Sequence, residues 1–190
     1  MSNIKVGYCL TGSYCTFKKA VEVIRELKNR DFEIFPIMSE NAYKTDTRFG
    51  KSKDFIDEIE SICGKKVLSE INAVEPIGPQ KYIDVLIIAP CTGNTLSKLA
   101  NGITDTSVTM AAKASLRNSI PVVIAVSTND GLSQSAKNLG ILLATKNVYF
   151  VPLSQDDPIN KPTSLVANFS KVIDTALLAI EGKQIQPLLF

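Results

Sequence analysis

The residues of this sequence that are best suited to chemistry are short polar side chains directly after an apolar run. Residues 85–89 (VLIIA) are apolar and are followed by PCTGNT at residues 90–95. A turn alone does not require this succession of small groups, many of which donate and accept hydrogen bonds. We therefore interpret this loop as a ligand-binding loop, and its candidate residues are Pro90, Cys91, Thr92, Asn94 and Thr95.

Similar polar residues follow the other apolar runs of the chain. If these runs are parallel strands, their carboxyl ends share one edge of the sheet, where such sheets bind ligands. Residues 154–158 (SQDDP) form one of these exits. The remaining candidate binding residues at such exits are Thr11, Gly12, Ser13, Ser39, Ser127, Thr128 and Asn129.

The turn at residues 11–13 precedes a helical pattern that begins near Thr16. The first N–H groups and the positive dipole end of a helix favour a phosphate group. We interpret the turn as a phosphate-site candidate, without the GxGxxG or Walker pattern. The alternative is that glycine and serine serve only as a permissive turn and a helix cap.

The elements that must position these groups alternate between strand and helix. Apolar runs predict strands at residues 5–10, 32–38, 85–89, 120–126 and 148–151. Helical spacing predicts helices at residues 16–30, 55–62, from 96, 108–117, 132–143 and 164–182. The expected fold class is α/β, with a single Rossmann-like (flavodoxin-like) domain over residues 1–190 and a parallel sheet of five or six strands with helices on both faces.

Two prolines qualify this prediction. Pro90 is expected to end the third strand, since proline lacks the N–H group that a sheet needs. Pro36 is expected to mark an irregularity or an edge of the sheet.

Composition excludes several classes of function. The net charge of +2, without a long run of like charges, does not favour nucleic-acid binding. No stretch reaches the roughly 18 apolar residues of a membrane helix and no signal-peptide pattern is present, so we expect a cytoplasmic protein. Without histidine or CxxC spacing, the four cysteines predict neither a disulfide nor a metal site, and we expect Cys9, Cys15, Cys63 and Cys91 to be small buried side chains.

Three segments give the sequence a resemblance to a known family: TGSYC at residues 11–15, APCTGNTLSKLANGITD at 89–105 and AVSTNDGLS at 125–133. On these segments it resembles the flavoproteins of the homo-oligomeric flavin-containing cysteine decarboxylase superfamily, whose Rossmann-like subunits bind FMN at such loops. Within that superfamily the sequence is most similar to the branch of dipicolinate synthase B subunits. The segments that carry this similarity are residues 90–114 (PCTGNTLSKLANGITDTSVTMAAKA), 150–170 (FVPLSQDDPINKPTSLVANFS) and 181–189 (EGKQIQPLL).

The resemblance implies a homo-oligomer that binds FMN at the candidate residues, with the phosphate near residues 11–13. It implies that the chain acts with an A subunit in the mother cell of a sporulating bacterium. The implied reaction oxidises dihydrodipicolinate to dipicolinate (pyridine-2,6-dicarboxylate), and NADP would enter through the partner subunit. No residue is assigned as general acid or base, so the catalytic group is the cofactor or belongs to the partner.

Two alternative functions stay open. One is a non-catalytic flavin-binding partner that stabilises or regulates the A subunit. The other is an FMN-dependent enzyme of the prenylated-flavin synthase type, with a prenyl phosphate near Lys44, Arg48, Lys51 or Lys53. Decarboxylation of cysteinyl substrates is disfavoured, because those relatives use an active-site histidine.

A dianionic substrate also needs cations at its binding site. The candidates for this role are Arg48, Lys51, Lys113 and Arg117, although each of them also fits a solvated surface position.

Overall fold

The computed structural model describes residues 4–78, 80 and 82–190. A central sheet has the strand order β2-β1-β3-β4, with β5 also paired to β4, and these five strands are parallel. The strands are β1 (Lys5–Leu10), β2 (Glu33–Met38), β3 (Val85–Cys91), β4 (Val122–Thr128) and β5 (Val148–Phe150). This architecture confirms the predicted α/β fold with a mostly parallel sheet.

Eight helices connect these strands or follow them within the described part of the chain. They are α1 (Phe17–Asn29), α2 (Glu40–Lys44), α3 (Ser52–Cys63), α4 (Ile71–Val74), α5 (Gly93–Ala100), α6 (Ser107–Arg117), α7 (Ala136–Leu143) and α8 (Val172–Ile180). Helices α1 and α8 pack together, as do α4 and α6. Right-handed crossovers to opposite sides of β1 place helices on both faces of the sheet. No helix in the described ranges is long and apolar enough to cross a membrane.

Strand β3 forms the centre of the hydrophobic core. All seven of its residues are buried, as expected for a parallel strand covered on both faces. It pairs with β1 on one side and with β4 on the other. The chain leaves β1 for β2 in one direction and returns to β3 on the opposite side, so the strand order reverses between β1 and β3. A ligand crevice is expected outside the carboxyl ends of these two strands.

The two prolines have different outcomes. Strand β2 lies at the end of the strand order, as Pro36 predicted, and the carbonyl of Pro36 accepts a hydrogen bond from the Leu68 N–H at 2.9 Å. The prediction that Pro90 ends the third strand was wrong. Strand β3 continues to Cys91, and its register against β4 shifts between Ile88 and Cys91, which accommodates the proline inside the strand.

The end of the chain also differs from the prediction. Residues 164–182 do not form one helix, because Leu165–Ala167 is an antiparallel strand, β7, which pairs with β4 and with the short strand β6 (Leu153–Ser154). Ser154 therefore lies in a strand instead of a loop. These pairings join distant segments, which helical periodicity does not reveal.

Two predictions for segments near the site were also wrong. The residues after Ser39 form α2, whose first turn is capped by the Ser39 hydroxyl, whereas a polar loop was expected. Helix α7 begins at Ala136 and not at residue 132, because the Asp130 carbonyl accepts hydrogen bonds from the N–H groups of Ser133 and Ser135 and closes a turn there.

Candidate functional site

Two adjoining cavities lie at the carboxyl edge of the sheet, where the strand order reverses. We name them by their side chains: the lysine cavity contains Lys19 and Lys161 and has a volume of about 380 Å³. The threonine cavity contains Thr11, Thr95 and Thr106 and has a volume of about 450 Å³. Gly12 and Thr92 line both cavities, so a single elongated ligand or two neighbouring ligands would fit.

Most of the predicted binding residues line these cavities. Those at the lysine cavity are Gly12, Ser13, Thr92, Ser127, Thr128 and Asn129. Those at the threonine cavity are Thr11, Gly12, Ser39, Thr92, Asn94 and Thr95. The structure thus brings together loops that follow β1, β2, β3 and β4.

Pro90 and Cys91 line neither cavity. Both are buried inside β3, and burial raises the pKa of the Cys91 thiol, so this sulfur stays protonated. Cys9 and Cys63 are also buried, as expected, and burial raises the pKa of Cys63 to about 11. The expectation was wrong for Cys15, which is exposed and lines the lysine cavity.

Thr11 joins the ends of the two central strands. Its hydroxyl donates to the Pro90 carbonyl at 2.8 Å and accepts from the Thr92 N–H at 3.0 Å. The side chain is almost completely buried, so the bond to Pro90 is shielded from water and the bond from Thr92 is partly shielded. Thr11 therefore fixes the loop after β3 against the loop after β1 and leaves no hydroxyl proton for a ligand.

The loop after β3 is shaped by the cap of helix α5. The Thr92 hydroxyl accepts from the Thr95 N–H at 3.2 Å and donates to the Thr95 hydroxyl at 3.1 Å. This arrangement leaves the Thr95 proton available to an outside acceptor. The Ser39 hydroxyl caps α2 by accepting from the Ala42 N–H at 3.4 Å, so its proton is available in the same way.

Asp130 organises the segment after β4, and the loop after β3 packs on it. Its carboxylate accepts hydrogen bonds from the Thr128 hydroxyl and, at 2.9 Å, from the Ser135 hydroxyl. Gly93 packs directly on this cluster: a Cβ at this position would lie 2.7 Å from both the Asp130 Oδ1 and the Thr128 Oγ1. Only glycine permits this close approach, which fixes the first turn of α5 against the end of β4.

Ser13 and Ser127 bring the loops after β1 and β4 together across the lysine cavity. Their hydroxyl oxygens are 2.7 Å apart, and one of the two hydroxyl groups donates to the other. The second proton of the pair is therefore available to a ligand. The backbone N–H groups of Gly12, Tyr14 and Cys15 find no acceptor among the described residues, and such N–H groups near the start of a helix are suited to an anion.

The charged groups at the site are not those that the sequence suggested. Lys19 and Lys161 line the lysine cavity, and Lys98 lines the threonine cavity. The residues proposed for a dianion or a prenyl phosphate line neither cavity, and these are Lys44, Arg48, Lys51, Lys53, Lys113 and Arg117. Lys113 and Arg117 instead border an apolar cavity beside Leu99 and Leu116.

Two of the site's lysines are paired with carboxylates. Lys98 contacts Asp105 at 2.8 Å, and its hydrogen bond holds the pKa of Asp105 below the ordinary value. Lys161 contacts Asp156 at 3.1 Å. The pKa of Asp156 is lowered by the hydrogen bond from Ser164 and then by Lys161. Lys19 forms no ion pair within the described part of the chain.

Some of these residues carried a signal in the sequence. Lys98 stands four residues after Asn94 in the helix that follows the polar loop, so helical spacing places both on one side of α5. Lys161 lies in the quoted segment at residues 150–170, but nothing local indicates that it reaches the edge of the sheet. Lys19 lies among other exposed lysines of α1 and carries no signal of its own.

The sequence model of the Flavoprotein family matches residues 1–176 of the chain. The B subunit of dipicolinate synthase from Bacillus subtilis (strain 168) is 43% identical over 192 residues, a match that covers 100% of this chain and 96% of the relative. The chain is therefore similar to that relative over its whole length.

Solved structures give the same result. The crystal structure of the B subunit of dipicolinate synthase from Bacillus halodurans C matches with a TM-score of 0.90 and 41% identity, and the match covers 98% of this chain and 96% of that chain. The FMN-dependent cysteine decarboxylase SpaF matches with a TM-score of 0.72 and 22% identity, over 94% of this chain and 97% of that chain. At 22% identity, the match to SpaF shows a similarity of fold alone.

Proposed function

The chain belongs to the Flavoprotein family, and from that premise we propose that it is the flavin-binding B subunit of a dipicolinate synthase. The observation that carries the proposal is the full-length similarity to such a protein, with 43% identity over 100% of this chain. The two adjoining cavities at the reversal of strand order provide a place for a cofactor and a substrate side by side.

The groups around the threonine cavity fit FMN. The Ser39 and Thr95 hydroxyls each keep a proton to donate, because their cap contacts use them as acceptors. The Asn94 amide offers both a donor and an acceptor. Ring and ribityl groups need such neutral partners, and the N–H groups at Gly12, Tyr14 and Cys15 would hold the phosphate.

FMN, when bound, supplies a hydride acceptor for the oxidation of dihydrodipicolinate to dipicolinate. The residues of this chain bind the cofactor and the substrate and orient them. Thr11 holds the loops after β1 and β3 in fixed relation through its hydrogen bonds. The packing of Gly93 on Asp130 and Thr128 holds the start of α5 against the end of β4, so that the cofactor and substrate sites keep their spacing. Ser13 and Ser127 present one hydroxyl proton at the wall of the lysine cavity.

The proposal includes a homo-oligomer in the cytoplasm of the mother cell and a separate A subunit, through which NADP would act. The chain has no histidine. The proton released on aromatisation therefore goes to water, to the cofactor, to another ionisable side chain of this chain or to a group of the A subunit.

FMN binding is tested by titrating the flavin-free protein with FMN and with riboflavin. We expect FMN fluorescence to change at one equivalent per chain, and riboflavin to bind more weakly because it lacks the phosphate. Unchanged FMN fluorescence, together with no flavin released from freshly purified protein by denaturation, would refute the cofactor part of the proposal.

A non-catalytic flavin-binding partner is a second candidate function. It is favoured by the ion pairs at the cavities, because Lys98 is paired with Asp105 and Lys161 with Asp156, and groups that are held in the charged form by such pairs are weak acids and bases near neutral pH. A prenylated-flavin synthase is a third candidate, because the positive charge of Lys19 and Lys161 would also suit a prenyl phosphate. Incubation of the FMN-loaded protein with dimethylallyl phosphate tests the third candidate, since prenylation changes the mass of the flavin.

A further inference from the structure

The loop of residues 155–164 (QDDPINKPTS), between β6 and β7, contains a motif that the proposed FMN site does not use. Its own groups hold it in shape. The N–H of Lys161 donates to the Asp157 carbonyl at 2.8 Å, and the Asn160 N–H donates to the Asp157 carboxylate at 3.0 Å. The Gln155 amide donates to the Pro162 carbonyl at 2.9 Å, which closes the loop.

The loop is also fastened to the segment that follows β4. The Thr163 hydroxyl donates to the Asn129 carbonyl at 2.7 Å, and the Leu132 N–H donates to the Thr163 carbonyl at 2.9 Å. Lys161 is thus held in a fixed position relative to the carboxyl end of β4.

Asp156 orients the side chain of Lys161 at the lysine cavity. The Ser164 hydroxyl, which is completely buried, donates to the Asp156 Oδ1 at 2.7 Å. The other carboxylate oxygen accepts from the Lys161 Nζ at 3.1 Å. A buried hydroxyl therefore fixes the carboxylate, and the carboxylate fixes the ammonium group.

Lys19 reaches the same cavity from helix α1. Among the described residues that line this cavity, two are lysines from separate elements and one, Asp156, carries a carboxylate. The surplus positive charge is suited to an anion, and two cations on separate elements are suited to an anion with two charged ends.

We infer that the lysine cavity binds a small dicarboxylate, with Lys161 contacting one carboxylate group and Lys19 the other. The inference rests on the proposed function for the class of substrate and adds the residues that recognise it. It assigns a role to the QDDPINKP segment, which places Lys161 beside the cofactor site. The hydroxyl proton of the Ser13 and Ser127 pair provides a further contact on the cavity wall.

The test measures binding of two probes to the FMN-loaded protein by calorimetry. The probes are pyridine-2,6-dicarboxylate and the monocarboxylate pyridine-2-carboxylate, compared among the wild type, Lys19→Gln, Lys161→Gln and Lys146→Gln. Lys146 is an exposed lysine before β5, at the opposite edge of the sheet, and serves as the control. We expect each of the first two variants to bind the dicarboxylate about tenfold more weakly, because a charged hydrogen bond is lost.

We expect the Lys146 variant to bind the dicarboxylate with nearly the affinity of the wild type. Once Lys19 or Lys161 is replaced, the protein should prefer the dicarboxylate over the monocarboxylate by less than the wild type does. Dicarboxylate binding that is the same in all four proteins would overturn the inference, as would the absence of binding to the wild type. Loss of FMN binding with riboflavin binding retained would also overturn it, because the lysines would then serve the phosphate. FMN titration of the wild type reports on the proposed function separately.

Discussion

The hydroxyl of Thr11 accepts a hydrogen bond from the backbone N–H of Thr92 at 3.0 Å and so connects the loops that follow β1 and β3. The two residues are distant in sequence but lie on either side of the point where the strand order reverses. Because Thr92 also caps α5, the bond sets the position of the helix that carries Asn94 and Thr95.

Removal of the Thr11 hydroxyl tests this connection. Thr11→Val keeps the shape but leaves the partly buried Thr92 N–H without its acceptor, so we expect the free energy of unfolding to fall by about 1–3 kcal/mol. Thr11→Ser keeps the hydroxyl and loses a buried methyl group, at a cost of about 1 kcal/mol. FMN affinity should drop in the valine variant and persist in the serine variant, and equal FMN affinities would contradict the role of the hydroxyl.

The close approach of Gly93 to the Asp130 cluster makes a second prediction. A Cβ at residue 93 would lie 2.7 Å from the Asp130 Oδ1, so Gly93→Ala should lower the free energy of unfolding by about 1–3 kcal/mol. Gly140→Ala is the matched control, since its Cβ would meet no atom within 4 Å and alanine favours a helix by roughly 0.5–1 kcal/mol. Urea denaturation of both variants measures the difference, and equal shifts in the same direction would contradict the close contact.

The Asp156 carboxylate predicts a dependence on pH. The Ser164 hydrogen bond and Lys161 lower its pKa in the folded protein, so its contribution to stability is present above the unfolded pKa of about 3.9 and is lost as the pH falls through the lower folded value. Its side chain is 38% exposed, which limits the contribution to about 1 kcal/mol. The free energy of unfolding of Asp156→Asn should therefore be lower than that of the wild type at pH 7, and the two values should approach each other at pH 3.

The same urea measurement at the two pH values decides the outcome. A difference between wild type and Asp156→Asn that stays constant from pH 7 to pH 3 would show that the ionised carboxylate is not what stabilises the loop.

The sequence predicts the core of the fold because its signals are local. Residues 85–89 read as a strand buried on both faces, and β3 is completely buried. Strand β7 was missed because Leu165–Ala167 becomes a strand only through pairing with β4 and β6. A run of that length next to a helix has no periodicity that would separate the two elements.

At the candidate site, too, the sequence predicts the residues that have local signals and misses those that depend on long-range contacts. Thr92 and Thr95 are recognisable because a polar loop at a strand exit is a local pattern. Asp130 and Lys161 are not, because the close approach of Gly93 to Asp130 depends on two loops meeting in space. The position of Lys161 depends on the fold of a loop that is fastened through Thr163 to the end of β4.

The most direct test of the proposed function measures dipicolinate formation by the A subunit from dihydrodipicolinate, with NADP present and with or without this chain. The account predicts that the FMN-loaded chain raises the rate well above that of the A subunit alone, and that the flavin-free chain raises it only after FMN is added. A rate that is the same with and without the FMN-loaded chain would contradict the assignment as a catalytic flavin-binding protein.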